Sequence, residues 1–377
     1  MTHDGMVTKL QVVAVDGAHL GSKFCGTLLL ATGQDTNNQI FPLAFAIVGT
    51  ESNLSWSFFF EQLKKSVVPD SVDTYFVSDR HHSIGYSIRK NYNLAGHGFC
   101  IYHLFRNLYS STCPSTLRDQ WFKVAKAYTV EEFNRELDIL KVMSPSVVTK
   151  ALKIPLEKWT RSHCPYERYN IMTTNNAECL NSVFKDERKW PIIPMFDSIL
   201  QKNSDWFCKR RECAAKWRDL SSEEVSKKLN IRHQDCLRFS VRRLSLTEVE
   251  VSDGMKRFVV NLHKQTCECR VFQKDRIPCV HAMAAAKDSR IDPTTLISHF
   301  HRNSTVTELY KETIYSIPPR NQWSSPTTTS QVQCLPPPSK RGPGRPHINR
   351  YKAAWERYGT RCTRCGQAGH TQKYCKR

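Results

Sequence analysis

A chain of 377 residues has length for two or three domains and a substantial core, so a fold is expected rather than disorder. Lysine and arginine outnumber aspartate and glutamate by 55 to 35, a formal charge of +20 that favours a polyanionic partner, with a solvated basic surface as the plainer alternative. The opening MTHDGMVTKL lacks the apolar core of a signal peptide and no apolar run approaches a membrane span, so the 15 cysteines suggest zinc binding in a reducing compartment, not secreted disulfides.

The stretch Leu10 to Leu20 reads as a buried strand, with Val12, Val13 and Val15 β-branched, and it ends on Asp16. An Asp-Gly pair after a strand is by itself better explained by a turn. Phe24 to Gly33 and Ile40 to Val48 read as antiparallel neighbours across a polar turn. Ser55 to Val67 places Trp56, Phe59, Phe60 and Leu63 at helical spacing. Val72 to Ser78 is a further strand ending on Asp79, and a helix follows from Ser83 to Asn91. Three strands, a helix, a strand ending in Asp and another helix is the order of a ribonuclease-H-like fold. The first and fourth strands are neighbours there, so Asp16 and Asp79 would meet. Two carboxylates so placed repel unless a cation separates them, and Mg2+ or Mn2+ suits their oxygen ligands.

Gly96 to His103 gives one more strand and then Cys100 and His103, three apart at the start of a helix. Such a pair can bind a metal or simply pack, and spacing alone favours packing. Pro114 to Trp159 is amphipathic and helical, an inserted layer. In Thr173 to Lys185, TTNNAECLNSVFK, a cap-like Thr-Asn-Asn precedes a helix carrying Glu178. An acid there is also simply favourable with the helix dipole.

The ordered segments DGAHL, NNQIFPLAFAIV, SDRHHSI, GFCIYHLFRN and TTNNAECLNSVFK resemble the catalytic domain of Mutator-like element (MULE) transposases, a group abundant in plants together with its domesticated relatives. The resemblance runs from about Leu10 to Lys185. It implies an Asp-Asp-Glu triad of Asp16, Asp79 and Glu178 on a ribonuclease-H-like core, with Cys100 and His103 as the family's characteristic pair. Two metal ions held by carboxylates would activate a water or 3′-hydroxyl for in-line attack on a phosphodiester.

Pro194 to Leu229 reads as a basic helix or helix pair, a surface for a phosphate backbone or a solvated face. Beyond it, Cys267, Cys269, Cys279 and His281 have the ligand types and pairing of a tetrahedral zinc site, and their spacing resembles the SWIM zinc finger. A helical stretch from Pro293 to Ile314 leads into Ser316 to Arg350, rich in proline, serine and threonine, a linker that need not fold. Within it KRGPGRP, with Arg341 and Arg345, resembles an AT-hook for the minor groove, a nuclear-import signal being the rival. Cys362, Cys365, His370 and Cys375 have the spacing of a retroviral-type zinc knuckle, which grips single-stranded nucleic acid or serves as a protein dock. Arg364 and Lys373 would add phosphate contacts.

The expected fold class is therefore α/β: a ribonuclease-H-like (DDE transposase) core with a helical insertion, then small zinc-binding modules and a disordered linker. The expected divisions are a catalytic domain over 1–190, a basic helical region over 191–250, a SWIM-type finger over 251–290, a helical extension over 291–315, a linker over 316–350 and a knuckle over 351–377. The functional expectation is a Mutator-like transposase or a protein derived from one, with two structural Zn2+ sites, Mg2+ or Mn2+ at the carboxylates, DNA as partner, a homo-oligomeric state if active, no membrane association and a nuclear location. Because Asp16 falls near the start, whereas relatives carry a DNA-binding domain before it, a truncated copy is expected. The rival is a non-catalytic regulator resembling the far-red-impaired-response transcription factors. A third reading is an RNA-binding protein relying on the knuckle.

Overall fold

The computed structural model describes residues 12–21, 26–109, 114–169, 171–217, 220–318, 320–322, 364–365, 367 and 375. The chain divides after residue 323 into two units, each described by itself.

The first unit is built on a five-stranded sheet. Strand β1 (Val12–His19) pairs antiparallel with β2 (Thr27–Gln34), and β2 with β3 (Ile40–Val48). The β2–β3 turn is held by Asp35, whose Oδ1 accepts the N–H groups of Asn37 and Gln39, both at 2.9 Å. Helix α1 (Asn53–Ser66) starts where Ser52 caps the Ser55 N–H, and it buries Trp56, Phe59, Phe60 and Leu63. Strand β4 (Tyr75–Ser78) then enters parallel to β1, helix α2 (His82–Asn91) crosses back, and β5 (Gly96–Phe99) pairs parallel with β4. The resulting order is β3-β2-β1-β4-β5, with β3 at one edge, where Pro42 costs no ladder bond to a further strand. Glycine is required at Gly98, because a Cβ there would stand 2.0 Å from the Tyr75 hydroxyl and 2.7 Å from the Lys158 carbonyl.

Helices α3 (Ile101–Leu108), α4 (Ser115–Lys126), α5 (Val130–Met143) and α6 (Pro145–Ala151) form the inserted layer around their own core. Trp121 and Trp159 stack there with ring centres 4.7 Å apart, and Trp121 Nε1 donates to the Ile101 carbonyl at 2.9 Å. Helix α7 (Asn175–Val183) and the long α8 (Ile192–Lys216) then return to the sheet. One face of the sheet, with Val13, Val15, Leu29 and Ala31, packs on α1 and α2. The other, with Ala14, Leu28 and Leu30, packs on Ala177, Leu180 and Phe184 and on Met195 and Ile199.

Next come α9 (Glu223–Cys236) and a second sheet of β6 (Ser240–Arg243), β7 (Glu248–Ser252), β8 (Arg257–Asn261) and β9 (Thr266–Cys267), all antiparallel in that order. Helices α10 (Val271–Asp275) and α11 (Val280–Asp288) follow, and α11 and α9 share one core with Val249, Val251 and Val260. The stretch 191–250, expected to be helical, therefore ends in two strands. The alternation of EVEVS buries Val249 and Val251 and leaves the charged residues between them outward. Short 3₁₀ turns at Pro293–Leu296 and His299–His301 lead to α12 (Asn303–Leu309), which packs beside α8. No helix among the described residues is long and apolar enough to cross a membrane. In the second unit Arg364, Cys365, Gln367 and Cys375 are described.

Candidate active site and zinc centre

Ala14 on β1 pairs with Val77 on β4 in parallel register, and Asp16 and Asp79 each come two residues later. The two acids therefore stand at the same carboxyl edge of neighbouring strands. Asp16 shares the face of Ala14, which α7 covers. Asp79 Oδ1 accepts the His81 N–H at 2.9 Å, closing the turn after β4.

Helix α7 brings Glu178 and, one turn on, Asn181 to this edge. Asn181 Nδ2 donates to Asp16 Oδ2 at 2.7 Å. Thr174 Oγ1 donates to Glu178 Oε1 at 2.8 Å, and His103 Nε2 lies 3.7 Å from that same oxygen. Thr174 also contacts His103 Nδ1 at 3.3 Å and gives its backbone N–H to Cys100 Sγ at 3.3 Å. Cys100, fully buried, is the first residue before α3, and His103 lies in the first turn of that helix.

The electrostatics follow from this crowding. Burial pushes the Asp16 carboxyl up to about 6, against the Asn181 hydrogen bond and with Asp79 and Glu178 adding to the rise. His103 is raised to about 9, first by its hydrogen bond to Cys100 and then, against burial, by the charges of Cys100, Glu178 and Asp79. Burial pushes the Cys100 thiol up, but hydrogen bonds with His103 and Thr174 outweigh it and hold the thiol below its ordinary value.

Cys100, His103 and Glu178 bring one sulfur, one nitrogen and one oxygen within 4.8 Å of one another. Asp16, Asp79 and Glu178 do not form so tight a group, although Asp16 feels both of the other acids. A hard divalent cation suits the carboxyl edge: the donors are oxygens, burial raises Asp16 with two further acids beside it, and Asn181 Oδ1 is buried without a partner. The mixed sulfur, nitrogen and oxygen set around Cys100 suits a borderline ion such as zinc.

The second constellation is closed and buried. The ligand atoms of Cys267, Cys269, Cys279 and His281 all lie within 4.8 Å of one another, as the tetrahedral coordination of one zinc ion requires. Gln273 clamps Cys267 from both sides, accepting its N–H at 3.1 Å and donating to its carbonyl at 2.9 Å. Cys279 caps α11, its sulfur accepting the Ala282 N–H at 3.3 Å. The His281 ring stacks on Phe258 at 4.0 Å between ring centres. Burial pushes the Cys279 thiol up to about 12, while hydrogen bonds from Cys267 and Cys279 hold the Cys269 thiol far below its ordinary value, so the bare site keeps one thiolate and needs a cation to hold the others.

Residues 12–107 match the family model of the MULE transposase domain. Residues 258–288 match that of the SWIM zinc finger. A search of curated proteins finds no match to the chain. The MULE transposase domain match takes in Asp16, Asp79, Cys100 and His103 and stops before Glu178, while the SWIM match takes in all four zinc ligands.

The SWIM finger is docked on the segment 162–167, which follows the inserted layer, through cations that meet backbone carbonyls. Arg270 Nη1 donates to Ser162 O at 3.1 Å and Lys274 Nζ to Cys164 O at 2.7 Å, while Arg276 pairs with Glu167. The basic character of α8 is likewise partly internal. Arg210 Nη1 donates to Ile40 O at 2.6 Å, and Arg211 Nε to Tyr310 O at 2.7 Å. Thr174 and Asn181 are site residues that the sequence reading did not single out. The one signal for Asn181 was its place one turn after Glu178. Arg341, Arg345, Cys362, His370 and Lys373 lie outside the described residues, whereas Arg364 is exposed and Cys365 and Cys375 are half-buried.

Proposed function

We infer that this is a Mutator-like DDE transposase, or a protein derived from one, that cleaves and transfers DNA strands with Mg2+ or Mn2+. The observation that carries the reading is the register of β1 and β4, which puts Asp16 and Asp79 at one carboxyl edge where α7 presents Glu178. The strand order β3-β2-β1-β4-β5, with β1 to β3 antiparallel and β4 and β5 parallel to β1, is the one expected of a ribonuclease-H-like core and supports the same reading.

On this account Asp16 and Asp79 hold the divalent ions, and Glu178 completes the second position. Bound ions supply Lewis acidity to the attacking and leaving oxygens of an in-line phosphodiester displacement. Asn181 fixes the Asp16 carboxylate, and Thr174 and His103 fix that of Glu178. The SWIM finger, with Zn2+ on Cys267, Cys269, Cys279 and His281, braces the segment 162–167. DNA is the partner, held by the basic surface and by the C-terminal arginines and knuckle, in the nucleus.

Incubating zinc-replete protein with a labelled DNA duplex and Mn2+ tests this. Nicks with 3′-hydroxyl ends that vanish with chelator are expected. DNA binding without cleavage in any divalent metal would favour the regulator of far-red-impaired-response type instead.

A further inference from the structure

The geometry points to Asn181 as an additional oxygen ligand of the cation held by Asp16, its side-chain amide turning over when the ion enters. This rests on the metal-dependent reading of the carboxyl edge. Asn181 is only 6% exposed, its Nδ2 is bonded to Asp16, and its Oδ1 is buried with no partner. With Oδ1 unpartnered, the present orientation of the amide is held by the single bond to Asp16, so turning it over sacrifices no other side-chain hydrogen bond.

The spacing fits that cation. Rotation about Cβ–Cγ exchanges the amide oxygen and nitrogen with almost no change of shape. Turned over, the amide oxygen takes the place of Nδ2, 2.7 Å from Asp16 Oδ2. Neighbouring oxygens of an octahedral Mg2+ at about 2.1 Å stand about 3.0 Å apart, a few tenths of an ångström more than that separation. Without a cation two facing oxygens repel, so the amino group turns to Asp16; with one, both oxygens face the ion. Glu178 lies one turn earlier on α7, so one helix face would deliver two donors to the edge where Asp79 follows β4 and Asp16 stands beside it on β1.

The test is Mn2+ binding to the zinc-replete full chain, read by electron paramagnetic resonance, for the native protein, Asn181→Leu, Asn181→Asp and Asp16→Asn. A ligand role predicts about tenfold weaker binding for Asn181→Leu and about tenfold tighter binding for Asn181→Asp, which keeps the oxygen and adds charge. An introduced carboxylate attracts the ion whether or not Asn181 ligates it, so Asn181→Leu decides. A residue that serves only as a donor to Asp16 predicts native or tighter binding in Asn181→Leu, and that result overturns the assignment. Should Asn181→Leu fail to fold, Asn181→Ala is read in its place. Native protein with no Asp16-dependent Mn2+ binding overturns the metal-site reading itself, and the ligand assignment falls with it.

Discussion

Thr174 Oγ1 stands 2.8 Å from Glu178 Oε1 and 3.3 Å from His103 Nδ1, so one buried hydroxyl links the start of α7 to the first turn of α3. Thr174→Val keeps the shape and removes both contacts. It should cost about 1–2 kcal/mol in a denaturant melt and loosen Glu178, while Thr174→Ser should keep most of both stability and cleavage. Equal cleavage by the valine and native proteins would mean that Glu178 needs no such anchor.

Asp16 sets a pH dependence whose sign is fixed by its raised carboxyl. In the folded chain it titrates near 6 rather than at its ordinary 3.8, so the fold binds its proton more tightly than the unfolded chain does. Its contribution to stability is therefore greatest below 3.8 and is lost as pH rises through about 6. Above that pH the charged carboxylate costs about 3 kcal/mol unless a cation is bound. Thermal melts of zinc-replete protein without added divalent cation at pH 7.5 should show Asp16→Asn a few degrees more stable than the native chain. Mn2+ should raise the native melting temperature and leave that of the variant unchanged.

The zinc ligands should be structural in the strict sense. Cys279→Ala opens a four-ligand buried site and removes the cap of α11, so one equivalent of zinc should be lost and the unit from α9 to α11 should unfold. Metal analysis with far-ultraviolet circular dichroism checks both. A folded finger without its zinc would contradict the assignment.

Docking of that finger depends on a lysine that burial holds below its ordinary pKa, Lys274, whose ammonium meets the Cys164 carbonyl at 2.7 Å. Lys274→Met strands that carbonyl in the interface at a cost of about 1–3 kcal/mol. Zinc content should stay native while proteolysis between the segment 162–167 and the finger speeds up. Unchanged proteolysis would show that Arg270 and the Arg276–Glu167 pair suffice.

The sheet was readable because its signals are local. Val12, Val13 and Val15 announce β1, and the aromatic spacing of Trp56, Phe59 and Phe60 announces α1. Asp16 and Asp79 followed from strand order. What could not be read were contacts with backbone partners or distant side chains. The basic run of α8 reads in sequence as a phosphate surface or a solvated face, yet Arg210 and Arg211 donate to the carbonyls of Ile40 and Tyr310, which carry no residue signature. Asn181 and Asp16 are 165 positions apart, and only the packing of α7 on the sheet brings them together. Strands β6 and β7 were missed because four or five residues beside a charged helical run give too short a window for alternation to show.

The most direct measurement compares single-turnover nicking of a labelled DNA duplex in Mn2+ by the native chain, Asp16→Asn, Asp79→Asn and Glu178→Gln, with zinc content checked in all four. The account predicts metal-dependent cleavage by the native protein, a loss of at least about a thousandfold in each variant, and unchanged zinc. Equal behaviour of all four proteins, whether they cleave or only bind, would contradict it.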